Sequence, residues 1–159
     1  MNYAIPISLL VLTIAAFFAL GRRGFASFGA MQSVLRVLAA LPLVVSGVLL
    51  HFIRMQVTAS IIPPAFPTRP ILVVVTGLLE IAGAIGLFLP KASRAAAFWI
   101  AIMMVAIFPA NVYVAGKVVG GIQMPGVAVR TAMQIVYIVG VLLAGFGRPV
   151  RKSPKQETS

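Results

Sequence analysis

Five long apolar runs, separated by short breaks where charges, glycines and prolines gather, organise the chain. A membrane-spanning helix uses about 20 residues, and each run is close to that length. The first covers residues 4–20 (AIPISLLVLTIAAFFAL) and stops at Gly21-Arg22-Arg23-Gly24. The second runs from Val34 to Ile53, with Pro42 as a kink, and is closed by Arg54. Residues 54–70 hold four prolines and are expected to form a stiff loop that does not span. The third run is Ile71 to Leu89, stopped by Pro90-Lys91; the fourth is Ala95 to Ala115, and the fifth Val127 to Phe146. The pattern predicts an all-α, polytopic membrane helix bundle, with 147–159 as a basic cytoplasmic tail.

Composition sharpens this reading. The chain has 159 residues, 61% hydrophobic and 9% charged, with 13 Lys or Arg against 2 Asp or Glu. Soluble domains carry roughly 25% charge, so these residues could not coat a globular surface in water. The net charge of +11 suggests nucleic acid at first sight, but the cations sit in gaps between apolar runs instead of on one polar face. They read as topology signals, and no nucleic-acid partner is expected. A signal peptide carries its cations before its apolar core, whereas none precedes Arg22. The first run is therefore expected to be retained, with the N-terminus outside. Arg22, Arg23, Arg36, Lys91, Arg94, Arg148, Arg151, Lys152 and Lys155 then fall inside, against Arg54, Arg69, Lys117 and Arg130 outside, the bias that the positive-inside rule requires. The tail would lie against anionic membrane lipid, and the bacterial inner membrane is the expected location.

Cysteine is absent and histidine occurs once, at His51. No disulfide, thiolate metal site, haem pair or iron–sulfur centre is expected from this chain. Any redox chemistry would be carried by something bound.

Glu80 lies in the middle of the third apolar run. A charged group at a bilayer centre costs about 2.5–3.5 kcal/mol on insertion scales, so such groups face the bundle interior and take partners. Thr76, Gly77, Glu80, Gly83 and Ala84 stand at helical spacing and predict one small, polar face packed closely on a neighbour. His51 and Arg54, three apart, and Arg130 and Gln134, four apart, are expected to share faces. With Asn111, all five come out on the outer half. Together with Glu80 they would make an outer-half pocket, Glu80 and His51 as its catalytic pair and Asn111, Arg130, Gln134 and Arg54 as ligand-binding groups, with the Ile61–Pro70 loop as a lid. Each has a plainer reading as well. Glu80 could be paired structurally with His51 or Arg130, Asn111 could satisfy a carbonyl freed by Pro109, and Arg54 could be an interfacial anchor.

Gly47-Val-Leu-Leu-His51-Phe52, Ile62-Pro63, Gly77-Leu-Leu-Glu80-Ile81 with Gly83 and Gly86, Phe108-Pro109-Ala110-Asn111 and Arg130-Thr-Ala-Met-Gln134 together resemble the DoxX-like family of small integral membrane proteins. The resemblance covers residues 34–146 and implies a four-helix core made of runs two to five. Residues 1–21 would then be an extra N-terminal transmembrane helix. It also implies a functional setting, because the family takes its name from a subunit associated with a thiosulfate:quinone oxidoreductase. A bound quinone and an oxidoreductase partner subunit are the expectations that follow, with His51, Glu80, Asn111, Arg130 and Gln134 as the matching positions.

Other functions fit the same residues. An intramembrane Glu with His and Arg nearby also describes a proton or small-solute pathway, although no other run holds an acidic counterpart. A structural scaffold for a soluble partner, a homo-oligomer formed through glycine faces, and a lone acid–base enzyme using His51 and Glu80 are further alternatives.

Overall fold

The computed structural model describes residues 30–147. The first apolar run, its retention and the tail beyond Gly147 lie outside the described residues. Three helices, Met31–Ile53, Arg69–Phe88 and Val127–Phe146, are long and apolar enough to cross a membrane.

The first begins as α1 (Ala30–Val45) and continues directly into a π-helical segment, Ser46–Ile53. Pro42 sits inside α1, is exposed, and lacks the N–H that a regular turn would use. The π pattern, with i→i+5 bonding, persists to the Arg54 N–H, which donates to the Leu49 carbonyl at 2.9 Å. At Arg54 the backbone leaves the helical region (φ −110°, ψ 34°). A short α2 (Met55–Ser60) follows, so the segment expected to be loop throughout starts with helix and passes into turns and bends from Ile61, around its prolines. Thr68, with φ 55°, opens α3 (Arg69–Phe88), and Pro70 fills the first turn, where a missing N–H has no cost. Beyond residues 89–92 comes α4 (Ser93–Ala106), then a break at Ile107, one residue before α5 (Phe108–Tyr113), which carries Pro109 in its first turn. A small antiparallel hairpin, β1 (Val118–Val119) and β2 (Ile122–Gln123), leads to α6 (Val127–Phe146).

Four arms pack in a ring: α1 with its π segment on α3, α3 on α4, α4 on α6, and α6 back on α1. Every neighbouring pair is antiparallel. Gly83 and Gly86 of α3 lie against Ile100 and Ala96 of α4, Ser93 of α4 bonds to Gly145 of α6 (3.3 Å), and Tyr137 of α6 bonds to Ala39 of α1 (2.5 Å). The bundle therefore has two distinct ends. Residues 54–68 and 114–126 form one, where Gly120 faces the Val57 side chain, and residues 89–92 lie at the other.

The core, including Ala40, Leu43, Leu87, Ala97, Val141 and Ala144, fills the half nearer Pro90. Outside it, Leu38, Leu78, Trp99 and Val136 are more than half exposed, as expected where the surrounding solvent is lipid. Polar side chains close the Pro90 end. Gln32 donates to the Leu143 and Ala144 carbonyls (3.0 and 2.5 Å), and the fully buried Arg36 donates to the Leu87 carbonyl near the C-terminus of α3. A cation is favoured there by the helix dipole.

Candidate functional site

The polar intramembrane residues separate into two groups. The first lies where the π segment crosses α3. Gly47 and Gly77 meet at this crossing: a Cβ built on Gly77 would stand 2.5 Å from the His51 Cβ, and one on Gly47 would stand 3.1 Å from the Gly77 carbonyl oxygen. Small residues allow two helix backbones to approach this closely. One turn along α3 from Gly77, Glu80 is 4% exposed, and across the crossing His51 is 8% exposed.

The His51 Nδ1 lies 3.1 Å from the Ser46 carbonyl oxygen and 3.4 Å from Glu80 Oε2. A carbonyl can only accept, so Nδ1 carries the proton and donates to Ser46. The Ser46 hydroxyl hydrogen-bonds the Glu80 carboxyl. Glu80 Oε2 is buried and has no hydrogen-bond partner among the described residues. That is the least satisfied position at the crossing, since a buried acceptor without a partner costs about 1–3 kcal/mol. The arrangement can bind a proton on Oε2, or accept a hydrogen bond from a molecule that reaches it, with His51 beside it as a proton relay.

The second group joins α5 to α6. Arg130 Nε donates to the Asn111 carbonyl (3.1 Å) and Nη2 to Asn111 Oδ1 (2.5 Å). The Asn111 amide donates to Gln134 Oε1 (2.7 Å), and the Gln134 amide donates to the Met104 carbonyl (2.7 Å), just before the break between α4 and α5. This network is internally satisfied. It fixes the broken arm to α6 in a medium that offers the backbone no water. Asn111 does this through side chains on α6, where the sequence suggested a carbonyl freed by Pro109.

Arg130 and Gln134 share a face as expected; His51 and Arg54 do not. His51 is buried, whereas Arg54 is exposed, because the π turns and the break at Arg54 cancel the three-residue spacing on which the expectation rested. Glu80 takes His51 and Ser46 as neighbours, while Arg130 is committed to Asn111 and to the Met124 sulfur. The small face of α3 also divides in two. Gly77 and Glu80 meet the π segment, whereas Gly83 turns to α4.

Two participants, Ser46 and Tyr137, stand outside the expected set. Ser46 stands five residues before His51, a spacing that only a π segment stacks. Tyr137 stands three residues beyond Gln134 on the inner face of α6, lies within electrostatic reach of Glu80 and bonds to the Ala39 carbonyl. The i, i+4, i+7 series Arg130, Gln134, Tyr137 would have found it. A groove of about 830 Å³ lies on the outside of the α3–α4 pair, and none of Glu80, His51, Arg54, Asn111, Arg130 or Gln134 lines it. Among the described residues no three His, Asp or Glu side chains come together.

A family model described as a domain of unknown function, DUF8561, matches residues 38–144, about two thirds of the chain. The chain belongs to that family, and the matched range contains both polar groups. No curated protein and no solved structure matches it.

Proposed function

We propose that this protein is a DoxX-like membrane subunit whose Glu80–His51 crossing binds a quinone or a similarly lipophilic molecule, in partnership with an oxidoreductase. The four arms of residues 34–146 would be its DoxX-like core and residues 1–21 an additional transmembrane helix. In the bacterial inner membrane, with the N-terminus outside and the C-terminus inside, the crossing and the Asn111–Arg130–Gln134 network fall in the outer half. The observation that carries the reading is the buried Oε2 of Glu80, without a hydrogen-bond partner among the described residues and 3.4 Å from a histidine. With a proton on that oxygen, Glu80 could donate to a quinone carbonyl, and on reduction of the quinone by two electrons from the oxidoreductase partner the two protons taken up would be passed by Glu80 and His51.

The test is mass spectrometry of the organic extract of gently purified protein, comparing wild type with Glu80→Gln and His51→Ala. One quinone or other single lipid retained by wild type and lost from both variants supports the proposal. Recovery of bulk phospholipid alone from wild type removes it.

A second reading, proton conduction, is favoured by a different observation. Arg130, Gln134 and Tyr137 form a polar line along one face of α6 that ends within electrostatic reach of Glu80. Proton flux into proteoliposomes that is abolished by Glu80→Gln would favour this reading over ligand binding.

A further inference from the structure

The groove outside α3 and α4 extends from Thr76 and Ile107 to Leu89 and Ala92. Its walls are rich in small side chains, Ala82, Ala95, Ala96 and Ala106 among them, and Trp99, 65% exposed, stands at its edge. Its side-chain polar groups are the Thr76 hydroxyl, which already donates to the Leu72 and Val73 carbonyls (2.8 and 3.0 Å), and the indole N–H of Trp99. The groove therefore offers an occupant close backbone approach and apolar contact, with little hydrogen bonding. This is the kind of surface on which membrane helices associate.

We propose that its occupant is the chain's own first apolar segment, residues 4–20. Length agrees. From Thr76 to Leu89 is thirteen residues of helix, about 20 Å at 1.5 Å per residue, and a seventeen-residue helix is about 25 Å long. The tether agrees as well. Leu87, two residues before Leu89, accepts a hydrogen bond from Arg36, which lies six residues into the helix that begins at Ala30. Those six residues amount to about 9 Å, while residues 21–29 can extend to roughly 30 Å. The segment thus reaches the groove end nearest Leu89 without strain and runs along it toward Thr76. A second groove, between α1 and α6, is smaller at about 570 Å³ and is walled by bulky side chains such as Leu35, Leu142 and Phe146. It admits a helix backbone less closely.

The absence of cysteine makes disulfide trapping a clean test in native membranes. Ala82→Cys on the groove wall is paired in turn with Val11→Cys, Leu12→Cys, Thr13→Cys and Ile14→Cys, one full turn at matching depth. Val139→Cys, in the α1–α6 groove, is paired with the same four. The expected result is an intramolecular disulfide between Ala82→Cys and at least one of the four, and none with Val139→Cys. Trp99 is the chain's single tryptophan, and its quenching by brominated lipid is expected to rise when residues 1–20 are deleted. Disulfide-linked dimers through Ala82→Cys would assign the groove to a second copy and overturn the proposal. So would trapping with Val139→Cys instead, or no trapping together with unchanged Trp99 quenching.

Discussion

Replacing Gly77 by alanine adds one methyl group where the π segment and α3 are closest. Its Cβ would stand 2.5 Å from the His51 Cβ and 2.9 Å from the His51 Cγ. Carbon atoms in ordinary contact are about 3.5–4.0 Å apart, so the crossing must open by about 1 Å. Overpacking of this kind costs roughly 1–3 kcal/mol, and the better helix propensity of alanine offsets up to about 1 kcal/mol. A net loss of about 1–2 kcal/mol is expected. The same opening would carry the His51–Glu80 approach, 3.4 Å in the native protein, beyond useful range. Gly140→Ala is the matched control. It lies in α6 with nothing within 4 Å of the added Cβ, so it should be neutral or slightly stabilising. The assay is denaturant titration of the two variants and wild type in mixed micelles, followed by circular dichroism. If Gly77→Ala unfolds at the same denaturant level as Gly140→Ala, the close crossing is wrong, and the argument that it positions Glu80 fails with it.

Gln134→Leu should destabilise by roughly 1–2 kcal/mol in the same titration, because it takes a partner from both the Asn111 amide and the Met104 carbonyl. Any ligand that depends on Glu80 should still co-purify with it, and loss of that ligand without loss of stability would show that the network does more than clamp α5. Tyr137→Phe removes one hydrogen bond to the Ala39 carbonyl and should cost about 0.5–1.5 kcal/mol; a larger loss would mean that the hydroxyl has a further partner near Glu80. With the proposed orientation, Gln123→Cys in the hairpin should react with a membrane-impermeant maleimide in intact cells. Labelling only after the membrane is permeabilised would reverse the topology.

The placement of the arms follows from run length and from the Pro and Gly residues that end the runs, because lipid forces each arm to satisfy its own backbone. The prominence of Glu80 follows from the same physics, since no other acidic residue lies in an apolar run. Its partner stays open in the sequence between His51 and Arg130, and the structure selects His51. Counting depth from the start of α3 placed Glu80 well below Arg130, whereas His51 arrives at the right level through the Gly47–Gly77 crossing, a tertiary contact with only two glycines as its sequence trace. Ser46 was hidden because periodicity arguments assume α-helical turns. Arg36 counted only toward topology, yet its side chain is buried against the end of α3, and nothing local distinguishes it from an interfacial arginine. The division of the polar residues into two groups depends on which helices are neighbours in the ring, and that order leaves no mark in a single chain.

The π segment departs from α-helical regularity at the place where His51 meets Glu80. Ser46 and His51 stack only because the turns between them are wide; in an ordinary α-helix, residues five apart point in well-separated directions. Deleting one residue between them, Leu49 for example, would let Ser46–Ile53 return to better-formed α-helical turns and leave the serine and the histidine four apart, again on one face. Such a shortened protein is expected to keep the histidine facing Glu80 on an ordinary α-helix. A single residue more or fewer in that stretch can therefore convert one kind of turn into the other while the histidine stays at the crossing, with the apolar runs otherwise intact.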